Sequence, residues 1–528
     1  MPTPAPRRRL LLLLGGLLLL QASWLLSVPA FRGIDEFDHV YRAASVARGQ
    51  WLPSGELPAH GRGELVTVPR DLVAAAGPEC TALGYSGPDN CRPVSDVGGG
   101  LVTVASAASR YHPAYYWVVG TAARGLGGVP AVLAMRAVSA VLCALFVVLA
   151  AWSTSRWARN RWPTVALATC LTPVVVYSSI VVAPNALEIA AAVSVWTALA
   201  GLRERGVPPT AERLLLWSAV PGAVVLATVR TLGIGFLGLI VLTTVLLLGA
   251  RPTMRLLQRQ ARTVVVAGTV VGAAVASGAW WLLAVRPNRL EQHLDQSGAL
   301  VGTLVSLPIW LLQSLAAAPG RTEPAPAVVY LLCGGTVAAL LGHAGRAARP
   351  RLRLAMLAVA VVSVTLPVAL TLRTFADVGV IWQGRYGLPL SLGLVLLAGV
   401  ALEERAAGDR GPTGEARRRA TGTTAGPGWR AVLGGTGLVA VAQLASVLHV
   451  LAAQRGDSPS VEAGLWHPPA TAVVVLLSLA GCGLLAWWVA GASPDHRPVP
   501  AAVAPPGEPV ASAVLDGPAA RQRDLDSA

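Results

Sequence analysis

The chain has 528 residues, of which 54% are hydrophobic and only 13% are charged, with a formal net charge of +15. Soluble proteins carry about 25% charged residues, so this composition excludes an ordinary soluble enzyme and indicates a protein that lies in a bilayer. The basic residues are all arginines, and they stand at the ends of apolar runs instead of forming one patch. That distribution is a membrane-topology signal, so we expect no nucleic-acid partner.

The first apolar run predicts a membrane helix. Residues 1–9 contain three arginines, and the run from Leu10 to about Pro29 follows them. A signal peptide with a cleavage site at Val28-Pro29-Ala30 is the alternative, but its apolar core would span about 7–15 residues, and this run is longer. We therefore expect residues 1–9 to be cytoplasmic and residues 10–491 to form the membrane domain.

Residues 31–112 are predicted to form a long extracytoplasmic loop. Cys80 and Cys91 lie close together in this loop, on the oxidising side of the membrane. We expect a disulfide between them, with a contribution of about 3 kcal/mol by loop-closure entropy. The remaining four cysteines lie in apolar runs and are predicted to be small buried apolar residues. They are Cys143, Cys170, Cys333 and Cys482.

The other apolar runs predict an all-α protein with about twelve transmembrane helices and both termini in the cytoplasm. A short amphipathic stretch from Tyr111 to about Leu126 is expected on the outer surface. After the first run, the predicted spans are Val132–Thr154, Val165–Val182, Ala186–Leu202, Leu214–Val229, Leu232–Gly249, Thr263–Val285, Ala327–Leu341, Leu354–Leu372, Leu388–Leu402, Ala431–Leu451 and Ala470–Val489.

Three further segments complete the predicted organisation. Residues 299–318 are either interfacial or re-entrant, or else form an additional span that would invert everything after them. The arginines that follow favour the first alternative, because a further span would move them outside. Residues 403–430 and 492–528 are rich in small residues, arginine or proline, and we expect them to be disordered and cytoplasmic.

Four polar clusters fall on the outer side under this topology. A carboxylate can accept a proton from an acceptor hydroxyl, and arginine can hold a phosphate bidentately. Together these groups fit the transfer of a sugar from a lipid phosphate carrier. The clusters are Asp35, Glu36, Asp38 and His39; Tyr111, His112, Pro113, Tyr115 and Tyr116; Pro184, Asn185 and Glu188; and Trp382–Pro389, with Arg136 and Arg230 near the same side.

Structural roles are the alternative for each of these groups. Arg136 and Arg230 can snorkel or pair with Glu188, and the tyrosines of the second cluster can form an interfacial aromatic belt. Arg385-Tyr386 can anchor a helix at the interface. The two aspartates of the first cluster, with His39, can also bind a divalent metal, although three ligands at one locus are a weak signal.

Several of these motifs also carry a resemblance. Asp35-Glu36 with His39 and Tyr41-Arg42 is similar to the opening motif of a bacterial family of multi-pass membrane proteins. That family is known only as a domain of unknown function and is grouped with the GT-C membrane glycosyltransferases. Gln383-Gly384-Arg385-Tyr386 with Pro389 resembles its most specific motif. The further matches are Tyr111–Tyr116, Arg136, Pro184–Leu187 and Arg230–Gly233, so that the resemblance runs from about residue 10 to 450.

Two positions depart from the family pattern. Ala186 stands near where the family tends to carry an aspartate, and Glu188 follows two residues later. The outer segment after Arg286 lacks the Phe-Gly-Trp pattern expected near Pro319-Gly320. Both departures concern the expected donor or acceptor pocket.

The resemblance implies a GT-C-like fold in contact with membrane lipid. It also implies a lipid-linked sugar donor of the polyprenyl-phosphate type and a cell-envelope acceptor on the outer face. Asp35 would act as the base, with Glu36 or Asp38 as second choices. Arg385 and Arg230 would contact the lipid phosphate. The full set of expected substrate-binding or phosphate-binding residues is His39, Tyr115, Arg136, Arg230, Arg385 and Tyr386. Two alternative functions are a transporter or flippase of a lipid-linked saccharide and a non-catalytic scaffold. Under each of the three functions we expect the protein to lie in the plasma membrane.

Overall fold

The computed structural model describes residues 6–82, 87–92, 99–203, 207–285, 295–316, 324–408 and 429–491. Two predictions of disorder fall largely or wholly outside these residues, namely most of 403–430 and the tail from 492 onward. Pro319-Gly320, where the family pattern is missing, also lies outside them.

The described residues form nineteen α-helices and one two-stranded sheet. Their bounds are α1 (Pro6–Ser27), α2 (Glu36–Ala47), β1 (Glu64–Pro69), α3 (Arg70–Ala82), β2 (Leu101–Ser106), α4 (Pro113–Ala122), α5 (Gly128–Trp157), α6 (Trp162–Thr169), α7 (Pro173–Ser179), α8 (Pro184–Gly201), α9 (Pro209–Val229), α10 (Gly233–Leu248), α11 (Ala250–Arg259), α12 (Ala261–Ala284), α13 (Ala299–Leu315), α14 (Ala327–Ala347), α15 (Pro350–Val378), α16 (Leu388–Gly408), α17 (Trp429–Asp457), α18 (Pro459–Glu462) and α19 (Thr471–Ala490).

The helical multi-pass architecture expected from the sequence is confirmed. Ten helices in the described ranges are long and apolar enough to cross a membrane, and the bent pair α10–α11 brings the number to eleven. The predicted number was about twelve. The difference arises mainly at α6, α7 and α8, where the chain does not follow the simple pattern of one apolar run and one straight helix.

The predicted span Val165–Val182 is wrong as a single helix. It is divided into α6 and α7 by a break at residues 170–172, directly before Pro173. Proline lacks the N–H that a helix interior needs, and it disfavours helical backbone in the preceding residue. The hydropathy of this stretch is high on both sides of the break, so apolarity alone did not reveal the interruption.

Helix α8 is the most enclosed part of the bundle, since every residue from 184 to 198 is buried. Small residues on its neighbours allow this enclosure. A Cβ atom on Gly222 of α9 would lie only 2.5 Å from Oγ of Ser194. Gly393 of α16 packs against the Trp196 ring, whose Nε1 donates to the carbonyl oxygen of Pro389 at 3.1 Å. Membrane helices depend on such close backbone approach, because lipid provides little hydrophobic drive for their association.

Helix α13 lies within residues 299–318, for which the sequence allowed either an interfacial or re-entrant segment or an additional span. By length and composition it can cross a membrane. However, Gly302 lies beside Phe375 and Val380, and Oε1 of Gln313 accepts a hydrogen bond from the N–H of Gly384 at 3.0 Å. Both halves of α13 therefore lie against the segment between α15 and α16, which favours the interfacial placement.

The predicted outer loop is a folded unit and not an irregular connection. Strands β1 and β2 pair antiparallel, with Glu64 opposite Ser106 and Pro69 opposite Leu101. The expected disulfide between Cys80 and Cys91 is present. Burial alternates along β1, as in a strand with one face packed against other elements, here α2 and α3. The other four cysteines are unbridged and buried, as predicted.

This outer unit is bonded to the far end of the chain. Oε1 of Glu79 in α3 accepts hydrogen bonds from the hydroxyls of Ser458 and Ser460, at 2.7 and 2.6 Å. Its Oε2 pairs with Arg32 at 3.3 Å. We call the end of the bundle that carries residues 31–112 the outer end, following the predicted orientation. The connection between α17 and α19 therefore lies at the same end of the bundle as Glu79.

Groups predicted to be cytoplasmic meet at the opposite end. The carboxylate of Glu403 accepts hydrogen bonds from the backbone N–H groups of Arg159 and Asn160, at 2.5 and 3.1 Å. Arg203 forms an ion pair with Glu404. The connections that follow α5 and α8 therefore lie beside the last turns of α16.

Helix α1 packs closely within the bundle. It packs against α19, and a Cβ atom on Gly16 would lie 3.0 Å from the carbonyl oxygen of Gly481.

We expect Gly16→Leu to destabilise the protein, because overpacking of a close contact costs about 1–3 kcal/mol. Gly15→Leu is the matched control, since a Cβ there meets only the Leu484 side chain at 3.6 Å. Thermal unfolding in detergent tests this, and equal midpoints for the two variants would contradict it.

Candidate functional site

The first turn of α2 holds the acidic cluster that the sequence singles out. Asp35 is the residue before α2 and adopts a left-handed conformation, with φ of 56°. Aspartate tolerates this conformation better than most residues. Its side chain is half-buried, whereas Glu36, Asp38 and His39 are buried. Of the three predicted carboxylates, Asp35 is therefore the one that remains accessible to solvent.

Glu36 is buried in an ion pair with Arg136 of α5. Nε and Nη2 of Arg136 donate to the two carboxylate oxygens at 2.7 and 2.5 Å. Arg136 also donates to the carbonyl oxygens of Val28 and Pro29, both at 2.7 Å. The carboxylate of Glu36 accepts a further bond from the N–H of Val182 at 3.0 Å. The pair thus joins the end of α1, the start of α2, α5 and the turn before α8.

This placement argues against the roles expected for Glu36 and Arg136. Both side chains are fully buried and their hydrogen-bonding groups are occupied by protein. Glu36 as a base and Arg136 as a phosphate ligand would have to break a buried ion pair, which is strongly unfavourable in a low-dielectric environment. The structural alternative for Arg136 is therefore the better interpretation, although its partner is Glu36 and not Glu188.

Asp38 faces the outer unit. Its Oδ1 accepts a hydrogen bond from the N–H of Ala107 at 2.7 Å, and Nδ2 of Asn90 lies 3.5 Å away. Burial and the nearby charge of Asp35 together raise the pKa of Asp38 to about 7. A carboxyl with this pKa can exchange protons near neutrality, but its hydrogen bonds go to the strand β2 region and not to the arginines.

His39 lies in an aromatic environment. Its Nδ1 and the hydroxyl of Tyr116 are 2.7 Å apart, and the two rings are stacked with centroids 5.9 Å apart. The ring of Tyr111 meets His39 edge-on at 5.5 Å. Tyr115 and Tyr116 of α4 are buried, so they do not form the interfacial belt considered from the sequence, and Tyr116 packs against His39.

Electrostatics place His39 between the acidic and basic groups. Burial lowers the pKa of His39 to about 4, so that the imidazole is neutral at pH 7. The charge of Asp35 opposes this shift, and the charges of Arg230 and Arg385 add to it. Two arginines from distant parts of the chain therefore act on the same imidazole as the neighbouring Asp35.

The two arginines meet at the ring of Tyr386. The Arg230 guanidinium lies 4.6 Å from the ring centroid, and that of Arg385 lies 5.6 Å away. Nη1 of Arg230 also pairs with Oε2 of Glu188 at 3.3 Å. Burial raises the pKa of Tyr111, and the positive charge of Arg230 opposes that rise. The predicted pairing of Arg230 with Glu188 is thus present, in a setting that also includes Arg385.

Two glycines shape the segments that carry these arginines. A Cβ atom on Gly233 would lie 2.0 Å from the carbonyl oxygen of Leu226, so the turn containing Arg230 requires glycine there. Gly384 opens a 3₁₀ turn, Gly384–Gly387, and a Cβ on it would lie 1.9 Å from the carbonyl oxygen of Trp310. Close packing therefore fixes the backbone on both sides of the Tyr386 ring.

Several buried polar atoms on the same segments have no hydrogen-bond partner among the described residues. They include both amide atoms of Asn185, Oε1 of Glu188, Nε2 of Gln383 and Nε of Arg385. Asn185 and Glu188 are three residues apart on α8, so they share a helix face. Buried polar groups in proteins are nearly always hydrogen-bonded, and the exceptions call for an explanation such as a ligand or water.

The remaining candidates lie elsewhere. Tyr115 is buried between α4 and α5, and its hydroxyl is 2.7 Å from Oγ of Ser139, so the expected contact with substrate is not supported. In the described part of the chain, no three His, Cys, Asp or Glu side chains are placed to hold a metal ion. Asp35, Asp38 and His39 therefore do not form the metal site considered from the sequence. Asn90, which holds Asp38, was missed because nothing in its sequence context marks it.

The comparisons with known proteins begin with the family. A family model described as "Predicted membrane protein (DUF2142)" matches residues 18–394, which is most of the chain. The chain belongs to this family. Its membership confirms the resemblance that the motifs between Asp35 and Pro389 indicated. No curated protein matches the sequence.

Two crystal structures of ArnT from Cupriavidus metallidurans are similar to this DUF2142 protein. One is bound to undecaprenyl phosphate; the match has 14% identity and a TM-score of 0.39, and covers 85% of this chain and 75% of that chain. The other is the apo state, with 16% identity, a TM-score of 0.38 and coverage of 85% and 76%.

We expect Glu36→Gln to lower the free energy of unfolding by about 3–5 kcal/mol, because it leaves the buried charge of Arg136 without a counter-charge. The double variant Glu36→Leu/Arg136→Met should lose less than the sum of the two single variants, because the two residues are coupled. Thermal unfolding in detergent measures both effects. Glu64→Gln is the control, since its partner Arg110 is partly exposed. Wild-type stability of Glu36→Gln would refute the role assigned to the pair.

The two shifted pKa values predict opposite pH dependences of stability. The pKa of Asp38 is higher than in the unfolded chain, so its contribution is fully present below about pH 4 and is lost as the pH rises towards 7. The pKa of His39 is lower than in the unfolded chain, so its contribution is lost as the pH falls from about 6.5 towards 4.

Unfolding midpoints of Asp38→Asn and His39→Gln, each compared with wild type at several pH values, test these signs. Asp38→Asn should gain stability relative to wild type between about pH 4 and 7. His39→Gln should gain relative to wild type as the pH falls below about 6.5. Differences that do not depend on pH would show that neither group titrates as its environment requires.

Proposed function

We propose that the protein is a membrane glycosyltransferase that moves a sugar from a polyprenyl-phosphate donor to a hydroxyl of a cell-envelope acceptor. The observation that carries this proposal is the meeting of Arg230 and Arg385 at the ring of Tyr386, since the charges of both arginines, with that of Asp35, also act on the pKa of His39. A base and a phosphate-binding cation are the two groups that such a transfer needs. The order of the family motifs supports the same function.

In the proposed reaction, Asp35 accepts the proton of the acceptor hydroxyl. The hydroxyl oxygen forms a bond to the anomeric carbon as the bond from that carbon to the phosphate oxygen breaks. The electron pair of the broken bond goes to the phosphate, and the configuration at the anomeric carbon is inverted. Asp35 suits the role of base because it is half-buried at the start of α2, whereas Glu36 is held by Arg136.

The two arginines have different roles in this scheme. Arg230 is already paired with Glu188, whereas Nε of Arg385 is buried and has no hydrogen-bond partner among the described residues. Arg385 is therefore the main ligand of the lipid phosphate, and Arg230 adds positive charge beside it. The ring of Tyr386 lies near both guanidiniums and positions them, as expected of a cation–π contact.

The buried polar atoms of Asn185, Glu188 and Gln383 that have no partner among the described residues can form hydrogen bonds with the hydroxyl groups of the sugar. The amide of Asn185 offers both a donor and an acceptor, as a hydroxyl group does, and Gln383 offers a further donor. Oε1 of Glu188 can accept a hydrogen bond from another hydroxyl.

The proposed location follows from the arginine distribution. The protein lies in the plasma membrane with both termini in the cytoplasm, so that the candidate site opens to the extracytoplasmic face. The lipid part of the donor then remains in the bilayer beside the helices, while its phosphate meets Arg385 near the membrane surface.

The test compares Asp35→Asn and Arg385→Ala, expressed separately in cells that lack the native copy. Each variant should abolish the glycan that depends on the protein, and the lipid-linked sugar should accumulate. Composition analysis of the envelope glycans and mass spectrometry of extracted lipids measure the two effects. Loss of a base typically reduces the rate about 10²–10⁴-fold.

Two substitutions at the outer end serve as controls. Glu56→Gln and Arg92→Ala change the same charges at exposed positions, and both should leave the glycans as in wild type. Wild-type glycans in cells that carry Asp35→Asn and in cells that carry Arg385→Ala would rule out the proposed activity.

A further inference from the structure

The end of the bundle opposite the candidate site carries a helix that does not follow the direction of its neighbours. Helix α11 turns away from α10 by 106°. The turn is made at Gly249, whose φ of +82° is a conformation that favours glycine. Since α10 runs along the bundle, α11 lies close to the plane of the membrane surface.

Three arginines occupy one face of α11. Arg251, Arg255 and Arg259 are exposed and follow each other at intervals of four residues, so their side chains lie on the same side of the helix. Arg262 continues the row at the start of α12 and is also exposed. The helix therefore presents a short row of positive charge.

A second face of α11 is apolar and exposed. Met254 is 56% exposed and Leu257 is 39% exposed, and they lie on a different side of the helix from the arginines. Leu256 is buried against the bundle. A helix with an arginine face and an exposed apolar face is typical of the membrane interface, where the apolar side chains enter the acyl region.

The positive charge of this helix is largely unneutralised by protein. Arg259 pairs with Glu212 at 2.9 Å, whereas Arg251 and Arg255 make no ion pair with any residue that the structure describes. The sequence has no acidic residue between Glu212 and Glu291. Arg351, at the start of α15, lies beside Gly249 and adds a further positive charge.

We propose that α11 is a binding site for anionic phospholipid. Arg251 and Arg255 bind the phosphate of the headgroup, and Met254 and Leu257 contact the first methylenes of its acyl chains. The exposed apolar face beside the arginines favours a lipid over a soluble anion as the ligand, because a soluble anion would leave that face in water. This site is independent of the proposed glycosyltransferase activity and lies at the other end of the bundle.

The experiment uses the full-length protein in detergent, titrated with dioctanoyl phosphatidylglycerol or dioctanoyl phosphatidylcholine and observed by native mass spectrometry. Wild type should bind the anionic lipid more tightly than the zwitterionic one. Arg251→Gln/Arg255→Gln should bind phosphatidylglycerol about thirtyfold more weakly, because each arginine near an anionic surface contributes about a factor of five. Arg251→Lys/Arg255→Lys should retain most of the affinity.

The control changes the same amount of charge at the same end of the bundle. Arg346→Gln/Arg405→Gln removes two exposed arginines that are not on α11, and it should bind phosphatidylglycerol as wild type does. Equal loss in the two glutamine variants would show a general charge effect and overturn the proposal. So would unchanged binding in Arg251→Gln/Arg255→Gln. If that variant does not fold, the lysine variant decides, and loss of binding there would overturn it.

Discussion

The architecture of the outer end depends on the buried ion pair between Glu36 and Arg136. A charge pair removed from water is stable only if its hydrogen-bonding groups are satisfied. Here Arg136 bonds to the exit of α1, while Glu36 bonds to the turn before α8. The pair therefore fixes four segments relative to one another, and it determines where the neighbouring Asp35 and His39 stand in relation to the start of α8.

Close backbone packing at two glycines determines the positions of the two arginines of the candidate site. Glycines at 233 and 384 let backbone segments approach within contact distance, and this brings Arg230 and Arg385 to the ring of Tyr386. Neither arginine is near the other in sequence. Their meeting is a product of backbone contacts that any larger residue at those two glycines would prevent.

Much of this organisation is present in the sequence, because apolar runs and arginines report directly on bilayer solvation. The spans, the disulfide between Cys80 and Cys91 and the four outer polar clusters follow from local patterns. The ion pair between Glu36 and Arg136 does not follow from local patterns, because the two residues are separated by 100 positions and several arginines were equally plausible partners.

Two local signals were also missed. The break before Pro173 has a known physical cause, yet the surrounding hydropathy obscured it. The strands β1 and β2 both contain the tetrapeptide Leu-Val-Thr-Val, whose β-branched residues and alternation are typical of strands. In a long polar segment between membrane helices, such short stretches are easily taken for loop.

The bonds of Glu79 have a consequence for how the protein is made. Its partners Ser458 and Ser460 lie about 380 residues later, so they leave the ribosome long after α3. Until then one oxygen of this carboxylate has only water to bond with. The outer unit therefore reaches its final form only when the last helical hairpin has been inserted, and a chain truncated before residue 458 would carry an incompletely bonded acid where the complete protein has a buried one.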